Sequence, residues 1–166
     1  MSFIDKYFGL SGNSNSIDAF IGNNDRNNRN WGILWNNITG NPELAPVYDN
    51  GNAFFNKRSL KQMEKRLGDA SFMHEDAYGT PASVYKYTDL DNERQIHPFK
   101  YIKESGNQDC RDAVSRFLKR IDMKKVEALI KGIPESTGNL AVMPNIQKEF
   151  YLELLNIRLE QLMLST

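Results

Sequence analysis

From residue 59 onward, apolar positions recur at helical spacing, whereas the first 56 residues break into short apolar runs separated by asparagine and glycine. Leu60, Met63, Arg66 and Leu67 keep the 3.6-residue period, with Ser59 placed to cap the start and Gly68 to stop the helix. Asp109 is predicted to open a second helix carrying Ala113, Phe117, Leu118 and Ile121 on one side. Asp122 is predicted to cap a third, with Val126, Leu129 and Ile130 on its apolar stripe and Gly132-Ile133-Pro134 as its end. Pro144 starts a long helix through about Leu162, in which Ile146, Phe150, Leu154 and Ile157 recur, so this helix should line the core. Residues 69–108 are less regular: Tyr78 to Ser83 reads as a loop, and Tyr85, Tyr87, Phe99 and Tyr101 are expected to pack this region onto the helices.

The amino-terminal part follows another pattern. Ile17 to Ile21 predicts a short helix opened by Ser14 or Ser16, and Trp31 to Trp35 a strand whose two tryptophans share one face and are expected in the core. Asn36 to Pro42 is dense in turn formers, and Leu44 to Tyr48 returns as a second strand ending at Asp49. The two strands should form a β-hairpin with Asn30 and Asp49 side by side at its open end; the Pro42 to Pro46 interval can also be read as a binding loop. The expected fold is mainly α with one small hairpin, a single domain over residues 1–166 without repeat or low-complexity linker.

Charge and cysteine content narrow the classes. Twenty-one basic and twenty-one acidic residues cancel, so there is no bulk electrostatic footprint for nucleic acid, and no direct nucleic-acid binding is expected. The local clusters Lys57 to Lys61 and Arg116 to Arg120 read as solvated helix faces. Cys110 is the sole cysteine, and His74 and His97 stand apart from it and from each other, which excludes an internal disulfide and a Cys/His zinc pattern. No apolar run has membrane length, and Met1 to Lys6 lacks the features of a signal peptide, so the expectation is a cytoplasmic protein without a membrane partner.

Chemistry concentrates between residues 22 and 51. Asp25 is followed five residues later by Asn30 and, after the hairpin, by Asp49. A carboxylate that can accept a hydroxyl proton, with an amide oxygen and a second carboxylate that can hold magnesium against phosphates, is the residue set of phosphoryl transfer from ATP. Thirteen of the chain's eighteen asparagines lie between Asn13 and Asn56, so the bare Asp-x4-Asn spacing is common here, and its place between a helix and a strand is what singles it out. Each residue also has a plainer reading: Asp25 as a cap, Asn30 as a left-handed turn residue, Asp49 with Asn50-Gly51 as a tight turn.

Gly22-Asn23-Asn24-Asp25-Arg26-Asn27-Asn28-Arg29-Asn30-Trp31-Gly32 and Leu44-Ala45-Pro46-Val47-Tyr48-Asp49-Asn50-Gly51 resemble, in order and spacing, the two loops of the HipA-like serine/threonine kinases, over roughly residues 14 to 56. The resemblance implies a kinase carboxy-terminal lobe with Asp25 as catalytic base, Asn30 and Asp49 as magnesium ligands, and ATP as substrate. Arg26, beside Asp25, would touch a phosphate or acceptor group, or form a structural ion pair. It also implies a protein substrate and, in some relatives, an antitoxin partner. Asn27 stands where the family usually has His, and Asn cannot take a proton near neutral pH. No glycine-rich loop or strand lysine of an amino-terminal lobe precedes Asp25; Gly9-Leu10-Ser11-Gly12 lacks the spacing. That lobe is therefore expected in cis or in trans, as for a fragment, a truncated gene or a split kinase. The reading of a different class is a non-catalytic helical interaction module derived from such a lobe.

Overall fold

The computed structural model describes residues 16–25, 30, 32–46, 48–55, 57–78, 86–89, 92–95, 97–104 and 106–165, with the backbone alone for residues 44, 86–89 and 92–95. Chain order is α1 (residues 16–21), β1 (Ile33–Trp35), β2 (Pro42–Leu44), a 3-10 turn (Ala53–Phe55), α2 (Leu60–Leu67), α3 (Ala70–Tyr78), β3 (Lys86–Asp89), β4 (Asn92–Gln95), α4 (Pro98–Glu104), α5 (Gln108–Leu118), α6 (Met123–Gly132), β5 (Ser136–Thr137), β6 (Leu140–Ala141) and α7 (Asn145–Met163). The fold is mainly helical, as expected, but the strands form three separate antiparallel pairs instead of one.

The periodicity that predicts a core helix from Pro144 is realised in α7. It is apolar on more than one side, and two clusters meet on it. Phe150, Leu154 and Ile157 pack with Met63, Met73 and Ala77 of α2 and α3. Leu155 and Leu162 pack with Phe20, Phe99, Ile102 and Val114. Phe54, five residues after Asp49, touches both clusters. Pro144 provides no side-chain cap. A cap contributes about 1 kcal/mol, and each fully buried leucine or phenylalanine about 1.5–3 kcal/mol, so packing holds α7 in place.

Helix α2 is the opposite case. Only Met63 is buried, and its start is a complete capping box: Ser59 N–H donates to Gln62 Oε1 at 2.9 Å, and Gln62 N–H donates to Ser59 Oγ at 3.4 Å. Replacing Ser59 with alanine is expected to lower stability by about 1 kcal/mol, read as a reduced urea midpoint at unchanged slope.

The described residues between 69 and 108 hold more regular structure than the sequence pattern suggests, in α3, α4 and the β3–β4 pair. Asp69 precedes α3 and accepts from the Ser71 N–H at 2.8 Å and the Phe72 N–H at 3.4 Å. The Ser71 hydroxyl donates to the same oxygen and holds the Asp69 carboxyl below its usual range. The Pro98 start of α4 is the position where a missing N–H costs nothing, and Phe99 and Ile102 enter the core while Tyr101 is half-buried. Tyr85 lies outside the described residues.

Other boundaries differ for physical reasons. Helix α5 is capped by Asn107, whose Oδ1 accepts from the Cys110 N–H at 3.2 Å, with Asp109 in the first turn instead of at the cap. The Asp122 cap is as expected, accepting from the Lys124 and Lys125 N–H groups at 3.1 and 3.3 Å. Leu129 on α6 is nevertheless 73% exposed. The end of α6 is held by the buried Lys148, whose ammonium donates to the Lys131 carbonyl at 3.2 Å, a cation at the negative end of a helix.

Strand β2 runs over Pro42–Leu44 and not Leu44 to Tyr48, because the turn fixes the register early. Asn36 Oδ1 accepts from the Ile38 and Thr39 N–H groups, Gly40 takes φ +68°, and the Asn36 N–H donates to the Asn41 carbonyl at 3.1 Å. Ile33 then faces Leu44, and Trp35 faces Pro42. The expectation of a core position for Trp35 is not met: it is 64% exposed, and the described buried clusters do not include the hairpin. Trp31 lies outside the described residues. No described helix is long and apolar enough to cross a membrane.

Candidate active site

The site begins where α1 ends. Ser16 lies inside the helix and is buried, so it does not serve as its cap, and Ser14 lies outside the described residues. Gly22 adopts φ +69°, and the Asn23 N–H reaches back to the Asp18 carbonyl at 2.9 Å, the closing bond of a Schellman motif. A β-carbon at Gly22 would lie 2.5 Å from Arg158 Cζ, so the guanidinium of α7 approaches this backbone as only glycine permits.

Asn23 is the organiser of the two loops. Buried at the end of α1, its Nδ2 donates to Asp18 Oδ1 at 3.2 Å and lies 3.5 Å from the Asp49 carbonyl, while its Oδ1 accepts from the Asp25 N–H at 3.2 Å. One side chain therefore spans the segment of Asp25 and the segment of Asp49. The catalytic-loop candidate is closed from its far end by the buried Asn30, whose Nδ2 donates to the Asp25 carbonyl at 2.7 Å. With the NH2 used inside the loop, the amide oxygen is the end of Asn30 suited to a cation. The hairpin pairing continues toward this end, since the Ala45 N–H donates to the Gly32 carbonyl at 2.9 Å.

Asp25 is half-buried and Asp49 exposed, so neither is sealed inside the protein. Asp49 takes φ 56°, and Phe54 and Phe55 take φ 62° and 54°. Three non-glycine residues in the left-handed region within seven positions store roughly 1–2 kcal/mol each. Packing of both phenylalanines against the core offsets that cost. Among the described residues no group of three or more His, Cys, Asp or Glu converges. A cation here would rest on an amide oxygen, a carboxylate, phosphate oxygens and water, an arrangement that suits magnesium.

Behind the loops lies a charge cluster absent from the sequence reading. Arg58 grips Asp76 of α3 through two contacts of 2.6 Å, and Arg66 stands 3.6 Å from the same carboxylate. Arg158 is buried and donates to the Ala77 carbonyl at 3.3 Å and lies 3.5 Å from that of Asp76, at the end of α3. Among the described residues its Nη1 has no hydrogen-bond partner. Burial holds the Arg158 guanidinium down to about 10, against the pull of Asp76, so it remains charged at neutral pH. Burial also pushes the Asp76 carboxyl above its usual value, more than Arg58 and Arg66 draw it down.

Of the residues singled out by sequence, Asp25 and Asn30 are joined directly through the Asp25 main chain, and Asp49 is tied to them through Asn23. Arg26 and Asn27 lie outside the described residues. Asn23 is the residue whose role was missed, although its position after a helix-ending glycine is a usable signal. Arg158 and Asp76 offered none, since their partners are distant in sequence.

No family model matches this chain. Over 141 residues, 85% of its length, it is 30% identical to the Helicobacter pylori serine/threonine-protein kinase CtkA, of which it covers 40%. It is also similar to the crystal structure of the H. pylori proinflammatory kinase CtkA, with a TM-score of 0.73 and 25% identity over 92% of this chain and 50% of that one. The chain therefore spans at most half of the kinase it matches, and what it shares with that serine/threonine kinase is a mainly helical region.

Proposed function

We propose that this chain is the carboxy-terminal catalytic lobe of a HipA-like protein kinase. It would transfer the γ-phosphoryl group of ATP to a serine or threonine hydroxyl when an amino-terminal lobe is supplied in cis or in trans. The observation that carries the reading is the closed loop: Asn30 fastened to the Asp25 carbonyl, and Asn23 spanning from Asp25 to Asp49. Asp25 would accept the proton of the acceptor hydroxyl. Asn30 and Asp49 would hold magnesium, which when bound offsets phosphate charge. Arg26 would contact a phosphate or the acceptor.

The hairpin supports the two-part arrangement. Ile33, Leu34, Trp35 and Ile38 are all exposed, Ile38 almost completely, so β1–β2 carries four exposed apolar side chains. A second lobe covering it would complete the nucleotide cleft. The same surface also suits the second reading, a non-catalytic module that binds another chain through inherited loops.

Calorimetric titration with ATP and magnesium separates the two. The chain mixed with the upstream half is expected to bind nucleotide, and the chain alone much more weakly. Absence of binding in both forms would leave the interaction module.

A further inference from the structure

A groove of about 340 Å³ is lined by Asn24, the residue before Asp25 in the chain, and by Asn52, Phe55, Lys57, Arg58 and Gln62. Among the described residues its lining contains two cations, three amides and one aromatic ring, and no acidic side chain. Arg58 is committed to Asp76 and lies 4.7 Å above the Phe55 ring, which fixes the floor. Lys57 is exposed and makes no ion pair with any described residue, so its charge is available at the rim. Gln62 uses its oxygen in the α2 capping box, which leaves its NH2 as a donor toward the groove. The start of α2 adds its positive end to the same wall.

Amides that both donate and accept suit an extended peptide backbone, and a cationic wall without an anion suits an acidic side chain. We infer that this groove receives the acceptor segment, and that Lys57 selects serine- or threonine-containing segments with Asp or Glu beside the hydroxyl residue. This rests on Asp25 as the proton acceptor, because Asn24 in the groove wall directly precedes it in the chain. Lys57 acts here as a specificity residue and not as a catalytic one.

The test uses the ¹⁵N-labelled full chain and three eleven-residue alanine-glycine peptides with a central serine flanked by Asp, Gln or Lys. The Asp peptide is expected to move the side-chain amide signals of Asn24, Asn52 and Gln62. It should bind about tenfold more tightly than the Gln peptide, and the Lys peptide more weakly still, with the differences shrinking as salt is raised. Lys57→Glu should reverse that order, and Lys57→Ala should level it. Lys57 is exposed and makes no ion pair with a described residue, so both variants should keep the fold. Equal affinities, no binding of any peptide at millimolar concentration, or shifts outside the groove would overturn the inference. Movement of these amides by ATP and magnesium in place of the peptide would do the same. The two readings fail separately: Asp-peptide selection without nucleotide binding by the assembled protein would retain the groove as an acidic-peptide site and discard the kinase, and with it the acceptor role. Nucleotide binding and transfer with indifferent peptides would do the reverse.

Discussion

Replacing Asp76 with alanine is expected to lower the unfolding free energy by about 3–5 kcal/mol, the usual cost of removing one partner from a buried ion cluster. The carboxylate is 4% exposed and meets the guanidinium groups of Arg58 and Arg66, while Arg158, placed by the main-chain carbonyls of Ala77 and Asp76, feels its charge without touching it. Arg58 and Arg66 retain partial access to solvent and can turn outward, whereas Arg158 is enclosed and cannot. The uncompensated charge of Arg158 should therefore dominate the loss. Urea unfolding gives the measurement, and a loss under about 1 kcal/mol would mean that the cluster contributes little. Asp76→Asn provides the pH control. Because the folded carboxyl is raised above its unfolded value, the folded state holds the proton more readily, so this group's contribution to stability falls as pH rises through the window between the two values. That slope should be missing in the Asn variant.

The second large effect concerns chemistry. In a protein that contains both lobes, Asp25→Ala should reduce phosphoryl transfer by roughly 10²–10⁴-fold, the range associated with a positioned general base. The fold should persist, because the described contacts that shape the loop use the Asp25 main chain: its N–H on Asn23 and its carbonyl on Asn30. Alanine keeps both. Transfer of labelled phosphate, paired with a denaturation midpoint, separates lost chemistry from lost structure. Undiminished transfer would remove Asp25 from the mechanism. Asn30→Ala is the informative companion, since it removes the loop closure and the proposed cation oxygen together and should reduce both readouts.

The parts of the fold that were legible from sequence are those decided by neighbours. Ser59 and Gln62 form α2's box within four residues, Asp122 caps α6, and the α7 stripe follows from its own spacing. Helix α3 was hidden because its buried face carries Asp76 beside Met73 and Ala77, and a carboxylate in an apolar stripe makes sense only once Arg58 and Arg66 are known to meet it. Asn107 and Asp109 are both good caps, and only the chain path chooses between them. At the candidate site, the order of Asp25, Asn30 and Asp49 was visible, while the side chain that links them, Asn23, was one polar residue among many asparagines. The exposure of Trp35 could not be read either, since an apolar strand looks the same whether its cover lies in this chain or in another.

The close approach of Arg158 to Gly22 ties the substitution histories of two remote positions together. While the long guanidinium fills that space, position 22 is closed to every residue with a β-carbon. Shortening position 158 would relax the crowding, though the left-handed backbone would still favour glycine. Relatives that carry alanine or serine at the first position should therefore carry a small residue at the other, and the two changes should be less harmful in combination than the sum of their separate effects.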